Sequence, residues 1–233
     1  MRKHIPNAIT CLNLLSGCVG VTFAFNNNLI YAGYAIIVAA LFDFADGLIA
    51  RGLGVYSILG KELDSLADVI SFGFLPSAIV YHLFLAAPQL GELSIYLNYS
   101  AFLITAFSAL RLAKFNIDVR QSDHFIGLPT PANALLVASL PQIIAQSGSF
   151  WSSYILNPYF LFIFSLGTGF LLVMEVPLLS LKFKTFDIRE NTFRYILLIC
   201  AAVLILLFKF AAVPIIIFLY IALSVIQFSL QDR

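Results

Sequence analysis

DFADGLIARGLGVYSILGKELDSLAD, residues 43–68, is a polar stretch between two long apolar runs, and the rest of the chain is arranged around it. Four of its carboxylates form two pairs, Asp43 with Asp46 and Asp64 with Asp68, spaced three and four residues apart. Three or four residues make nearly one turn of an α-helix, so each pair is expected on one helix face. The sequence therefore predicts an acidic site where one helix ends and the next begins.

The composition of the chain is that of a membrane protein. Of its 233 residues, 61% are hydrophobic and 11% are charged, against roughly 25% charged residues in a soluble domain. Several apolar runs reach the length of about twenty residues that a helical span needs, and strand-type alternation is absent from the sequence. We predict an all-α, polytopic membrane helix bundle that forms a single transmembrane domain, 1–233. The net charge of +1 gives no reason to expect nucleic acid as a partner.

The apolar runs predict eight transmembrane helices, six in a core (5–182) and two in a C-terminal pair (194–229). The last two runs are separated only by Lys209–Ala211, so one bent helix is the alternative to a pair. The predicted spans are 8–25, 29–50, 61–86, 97–116, 131–147, 154–180, 194–208 and 212–229.

The basic residues predict the orientation of the bundle, because short loops rich in Lys and Arg stay cytoplasmic. With the N-terminus inside, every Lys and Arg except Lys209 falls on the cytoplasmic side. The polar stretch is then expected at the cytoplasmic surface of the cell inner membrane.

The four carboxylates require compensation at this position. An ionised Asp within a membrane helix costs at least about 2.5 kcal/mol. Arg51 and Lys61 are the nearest basic residues, and a salt-bridged cluster is the structural alternative, although it leaves a surplus of negative charge. An all-oxygen ligand set without His or Cys favours Mg²⁺ or Mn²⁺. The sequence therefore predicts a divalent metal site.

Residues between the two acidic pairs suit a ligand that carries phosphate. Gly47 and Gly60 remove side chains where a ligand can approach the backbone, and Arg51, Ser57 and the amide groups of the following helix start are donors for phosphate oxygens. A metal and phosphate donors at a membrane surface indicate phosphoryl-type transfer on an amphiphile. A remaining carboxylate would take the proton of an attacking hydroxyl.

A polar stripe precedes the first span, where Asn7, Thr10 and Asn13 recur every three residues. Polar side chains of this kind commonly hydrogen bond within and between membrane helices. The alternative is that the stripe contributes to the pocket for the headgroup of the ligand.

The pattern Asp43-x2-Asp46-Gly47-x2-Ala50-Arg51-x8-Gly60-x3-Asp64-x3-Asp68 resembles, at every fixed position, the signature of the CDP-alcohol phosphatidyltransferase family. The resemblance implies six core transmembrane helices, a homodimer and two metal ions held by the four aspartates. Asp43, Asp46 and Asp64 are expected to hold one ion. Asp43, Asp64 and Asp68 are expected to hold the other, with Asp68 also the general base.

The same resemblance assigns a pocket for cytidine diphosphate. By motif position, the residues that line it are Gly47, Ala50, Arg51 and Gly60. Further candidates from the first helix and the loop are Asn7, Thr10 and Ser57.

The segments outside the aspartates indicate the alcohol that accepts the phosphatidyl group. IPNAIT near the N-terminus, VISFGFLP (69–76), ALRLAKFN (109–116) and FIGLPTPAN (125–133) resemble members of the family that use serine. The resemblance implies transfer of the phosphatidyl group of CDP-diacylglycerol to the hydroxyl of L-serine, giving phosphatidylserine and CMP. Other acceptors, namely glycerol phosphate, inositol phosphate or choline, are the alternative. A cation transporter is a remote alternative function, since intramembrane aspartates also mark ion paths.

Arg111 and Lys114 are the candidates for acceptor binding. Arg111 matches the planar carboxylate of serine by bidentate hydrogen bonding. The alternative is that both residues only anchor the cytoplasmic end of the fourth span. Glu175, in the predicted span 154–180, is interpreted as a buried partner of another helix, and a role toward the substrate is the less favoured alternative.

Overall fold

The computed structural model describes residues 4–55, 57–118, 125–146, 148–180, 187 and 191–231. Within them the α-helices are α1 (His4–Phe25), α2 (Leu29–Gly52), α3 (Ile58–Asp68), α4 (Leu75–Ala86), α5 (Leu93–Tyr99), α6 (Leu103–Ile117), α7 (Thr130–Gln146), α8 (Gly148–Ile155), α9 (Pro158–Val173), α10 (Thr192–Phe208) and α11 (Ala212–Gln231). The shorter elements are a π-helical segment (Val69–Phe74), two 3₁₀ segments (Ser100–Phe102 and Lys209–Ala211) and the strands β1 (Phe125–Ile126) and β2 (Pro177–Leu178), which pair antiparallel. The described part of the chain is therefore almost entirely helical, as predicted.

The helices have the length and composition of membrane spans. Among the described residues, the stretches long and apolar enough to cross a membrane are His4–Phe25, Leu29–Gly52, Ile58–Ala86, Leu93–Ile117 and Thr192–Leu230. Pro158–Val173 is apolar but shorter. The protein is an integral membrane protein on this ground. The total of eight spans stays a prediction.

The predicted span 154–180 is wrong at its start. α8 ends at Ile155, and Asn157 begins a new helix because its side-chain oxygen accepts hydrogen bonds from the amides of Tyr159 and Phe160 at 2.9 and 3.3 Å. Such a cap satisfies amides that have no partner within the helix.

The same prediction is wrong at its C-terminal end, where α9 stops at Val173. The following residues leave the helix and pair with the segment before α7. The Gly127 amide donates to Val176 O at 3.1 Å, and the Leu128 amide donates to Leu171 O at 2.8 Å, which satisfies a carbonyl in the last turn of α9. Glu175 therefore lies in an extended segment and not in a membrane span.

The C-terminal region forms an antiparallel pair of helices. Near the start of α10, Arg194 Nε donates to Ser180 O at 2.7 Å. In α11, Tyr220 and Ser224 bond to the backbone of Leu179 at 2.8 and 3.1 Å. Because residues from opposite ends of the pair meet the same segment, the chain reverses between the helices. These contacts favour the predicted pair over one bent helix, and the number of C-terminal spans stays a prediction.

Small residues bring α1 against the helices that carry the acidic motif. A Cβ at Gly17 would collide with Ser71, and one at Gly20 would collide with Leu75. The Ser71 hydroxyl also donates to Asn13 O at 3.0 Å. Close approach through small residues is the usual mode of packing between membrane helices. It places the polar stripe of α1 beside the aspartates.

Candidate active site

The two acidic pairs converge across a tight helix–turn–helix. α2 ends at Gly52, Gly54 adopts a φ of +62°, and the Ser57 side chain accepts a hydrogen bond from the Gly60 amide at 3.0 Å to cap α3. The turn brings together one carboxylate oxygen each from Asp43, Asp64 and Asp68, all within 4.8 Å of one another. The predicted meeting of carboxylates is confirmed for these three residues, which are the set expected to hold the second ion.

Two side chains of the polar stripe bond directly to aspartates. The Thr10 hydroxyl donates to Asp46 Oδ2 at 2.6 Å, and Asn13 Nδ2 donates to Asp68 Oδ1 at 3.2 Å. Asp46 and Asp68 are each only 7% exposed. The polar stripe that includes Asn13 is a predicted candidate for the headgroup pocket, but the contact of Asn13 with an aspartate is not predicted from the sequence.

The carboxylate cluster fits a divalent cation. Three anions at this separation repel one another strongly where water is scarce. Within the described residues, Asp64 Oδ1 is buried without a hydrogen-bond partner. An all-oxygen donor set with a surplus of negative charge suits Mg²⁺ or Mn²⁺.

The salt-bridged alternative is not observed within the part of the chain that the structure describes. Lys61 Nζ donates to Asn116 O at 2.7 Å and thereby ties α3 to the end of α6. The Arg51 side chain instead folds beside Gly47, with one guanidinium nitrogen 3.5 Å from the position that a Cβ on Gly47 would occupy. Neither Arg51 nor Lys61 therefore neutralises the cluster.

The residues predicted for the cytidine diphosphate pocket lie at the two sides of the turn. A Cβ on Gly60 would lie 2.9 Å from Ser57 Oγ and 3.0 Å from Asn7 Oδ1, so these three residues are in contact. Arg51 is exposed beside Gly47, as described above. The predicted residues Ala50, half-buried one turn after Asp46, and Thr10, bonded to Asp46, complete the set. Their role toward a nucleotide stays a prediction.

The π-helical segment follows Asp68 and fixes the position of α6. The carbonyl of Gly73 accepts hydrogen bonds from the hydroxyls of Ser77 and Thr105 at 3.0 and 3.3 Å. A Cβ on Gly73 would lie 3.1 Å from Ser108 Cβ, so α6 packs closely against this segment. Short π-helical segments are frequent at functional sites. The segment therefore packs against α6 at Ser108, about one helical turn before Arg111.

Arg111 is a buried cation beside the acidic cluster. Its side chain is 7% exposed and within electrostatic range of Asp68 and Tyr220. The guanidinium carbon lies 5.9 Å from the ring centroid of Phe115. Within the described residues, Arg111 Nε has no hydrogen-bond partner. Burial of this kind argues against simple anchoring for Arg111, whereas Lys114 is exposed, as an anchoring residue would be.

A cleft of mixed charge opens beside Arg111. The volume of the cleft is about 310 Å³, including the part at its mouth that is open to solvent. The residues that line it are Arg111, Lys114, Asp118, Ile126, Leu172, Val173 and Glu175. Glu175 is exposed in this cleft, so its interpretation as a buried partner of another helix is wrong.

Fold and site together define an α-helical membrane protein with an acidic metal-type site at the ends of its helices. The family model described as CDP-alcohol phosphatidyltransferase matches residues 3–173, and the chain belongs to this family. The match ends at the last residue of α9, so Glu175 and the C-terminal helices lie beyond it.

Three curated relatives bear the name CDP-diacylglycerol–serine O-phosphatidyltransferase. The protein of Mycobacterium leprae is 33% identical over 75% of this chain and 57% of its own length. That of Bacillus subtilis is 33% identical over 75% of this chain and 89% of its own length. That of Methanocaldococcus jannaschii is 33% identical over 74% of this chain and 72% of its own length. The chain therefore spans little more than half of the mycobacterial relative but most of the other two.

Proposed function

We propose that this protein transfers the phosphatidyl group of CDP-diacylglycerol to the hydroxyl of L-serine, giving phosphatidylserine and CMP. The observation that carries the proposal is the convergence of Asp43, Asp64 and Asp68 within 4.8 Å. They converge in a chain of the CDP-alcohol phosphatidyltransferase family whose relatives bear the name of that activity.

Asp68 is the proposed general base. As the serine oxygen bonds to the β-phosphorus, the bond from that phosphorus to the CMP oxygen breaks, and the hydroxyl proton passes to Asp68. The hydrogen bond from Asn13 at 3.2 Å orients the Asp68 carboxylate for this role. A positioned base of this kind accelerates proton transfer in the transition state.

The four aspartates are the proposed metal ligands. Asp43, Asp46 and Asp64 would hold one Mg²⁺ or Mn²⁺, and Asp43, Asp64 and Asp68 a second one. Bound divalent cations neutralise the charge of a diphosphate. The hydrogen bond from Thr10 fixes the orientation of the Asp46 carboxylate.

The nucleotide is proposed to bind at the turn between α2 and α3. The hydroxyl of Ser57 and the guanidinium of Arg51 would donate to phosphate oxygens, and Gly47 and Gly60 leave the backbone accessible. The complete proposed set is Asn7, Thr10, Gly47, Ala50, Arg51, Ser57 and Gly60. The diacylglycerol tails would remain in the bilayer.

The active site is proposed to face the cytoplasm from the cell inner membrane, with the N-terminus inside. The near absence of Lys and Arg from the opposite side supports this orientation. The homodimer, the eight spans and the single domain implied by the sequence stay predictions beside it.

The acceptor is tested by supplying the purified protein with CDP-diacylglycerol, Mn²⁺ or Mg²⁺ and one alcohol at a time. We expect CMP release with L-serine and much less with glycerol phosphate, inositol phosphate or choline. Chelation with EDTA should abolish release, and renewed addition of the divalent cation should restore it. The variant Asp64→Asn, purified identically, controls for a contaminating enzyme. A preference for another alcohol, or ion flux without CMP release, would overturn the proposal.

A further inference from the structure

The backbone on both sides of Glu175 is held by hydrogen bonds. The Met174 amide donates to Phe170 O at 2.9 Å, and Val176 O accepts from the Gly127 amide at 3.1 Å. Gly127 has a φ of +75°, and a Cβ there would collide with Leu172 O, so the two segments touch backbone to backbone. The position of Glu175 is therefore fixed by the fold, while its side chain is exposed in the cleft.

Charges of opposite sign line this cleft. Arg111 and Lys114 come from α6, and Glu175 comes from the segment after α9. In the regions that the structure describes, no ion pair joins Glu175 to either cation. Arg111 is 93% buried, and its Nε has no hydrogen-bond partner among the described residues. A buried donor without a partner indicates that a ligand or water completes it.

A ligand that matches this arrangement carries an anion and a cation a few bonds apart. The guanidinium of Arg111 suits a planar carboxylate, and the carboxylate of Glu175 suits an ammonium group. A phosphorylated alcohol would instead bring only negative charge next to Glu175. The cleft therefore fits the zwitterion of a small amino acid.

We propose that Glu175 binds the α-ammonium group of the serine acceptor while Arg111 binds its α-carboxylate. The inference rests on the proposed function and adds the residue that distinguishes an amino acid from other alcohols. Arg111 lines the cleft and is within electrostatic range of Asp68, so the cleft adjoins the acidic cluster where the serine hydroxyl would react. Glu175 lies beyond the region that the family model matches, so that model does not assign it this role.

The test compares L-serine with 3-hydroxypropionate, which has the hydroxyl and the carboxylate of serine but no ammonium group. In the variant Glu175→Gln, the KM for serine should rise about 10- to 100-fold, the range expected when a hydrogen bond between charged groups is lost. The inhibition constant of 3-hydroxypropionate against serine should change less than threefold, about the scatter of such comparisons. Inhibition of the variant by 3-hydroxypropionate also shows that the variant is folded.

Two matched variants complete the experiment. Glu175→Asp keeps the charge and should restore part of the affinity for serine. Glu92→Gln removes an exposed carboxylate at the start of α5, at the opposite ends of the helices, and should leave both constants unchanged. An unchanged KM for serine in Glu175→Gln would overturn this inference alone. If the unaltered protein released no CMP with serine, the proposed function would fail first.

Discussion

The acidic cluster and the mixed-charge cleft are both close to Arg111, yet their charges are balanced differently. The cluster gathers the carboxylates of Asp43, Asp64 and Asp68 within 4.8 Å, without a neutralising ion pair among the described residues. The cleft places Arg111 and Lys114 with Asp118 and Glu175, two cations with two carboxylates. A cluster with surplus negative charge is completed by a cation, whereas a balanced cleft is completed by a dipolar ligand that is neutral overall. On the proposed function, this difference in charge separates the site for chemistry from the site that selects the acceptor.

The largest expected effect comes from Asp68→Asn in the cluster. Removal of a general base costs about 10²- to 10⁴-fold in rate, and the amide also weakens the proposed metal site. We therefore expect kcat to fall by at least about a hundredfold on this ground, with the protein still folded by its thermal unfolding profile. The KM for serine, where residual activity permits its measurement, should change little because the cleft is intact.

The control for this variant is Mn²⁺ binding, measured directly and without substrate. If saturating Mn²⁺ restored the rate of Asp68→Asn, Asp68 would be a metal ligand only. Full activity at ordinary Mn²⁺ concentration would contradict both of its proposed roles.

Arg111→Lys should mainly raise the KM for serine and change kcat little, the opposite of the pattern for Asp68→Asn. The reason is that this substitution alters the cleft and not the acidic cluster. Lysine keeps the charge but loses the bidentate match to a carboxylate. The KM for serine should rise about tenfold, as expected for the loss of one hydrogen bond to a charged group. The same substitution at Arg51 is the matched control, and it should raise the KM for CDP-diacylglycerol instead. A common effect of both substitutions on one substrate would contradict the division into two sites.

The sequence predicts the cluster better than the cleft for a physical reason. The aspartates are spaced by helical turns on either side of a short loop, so helical periodicity and the short connection already indicate that the two pairs lie near each other. Helix boundaries at α2 and α3 were likewise close to prediction, because polar residues and glycines end the apolar runs. The contact of Asn13 with Asp68 is harder to predict from the sequence, because it depends on how α1 packs against α3.

The cleft depends on contacts between segments that are distant in the sequence. The apolar run 154–180 reads as one span by hydropathy, and the local signals for an earlier helix end are only Glu175 and Pro177. The end of α9 is set by backbone pairing with Gly127 and Leu128, a tertiary interaction. Such interactions override local propensity. Glu175 was therefore placed inside a span, although it borders the cleft.

The smallest expected effect tests whether the C-terminal helices support the cleft. Tyr220 is 8% exposed, and its hydroxyl donates to Leu179 O at 2.8 Å, four residues beyond Glu175. Tyr220→Phe removes this hydrogen bond at a cost of about 1 kcal/mol. We expect a lower Tm and a KM for serine that rises by at most about fivefold, since 1.4 kcal/mol corresponds to tenfold in affinity. kcat should stay unchanged, because this hydroxyl bonds to Leu179 and not to an aspartate of the acidic cluster.

Tyr96→Phe, at a residue that is 75% exposed on α5, is the matched control and should alter neither Tm nor the KM for serine. A fall in kcat for Tyr220→Phe with an unchanged KM would show that the hairpin acts on the cluster and not on the cleft.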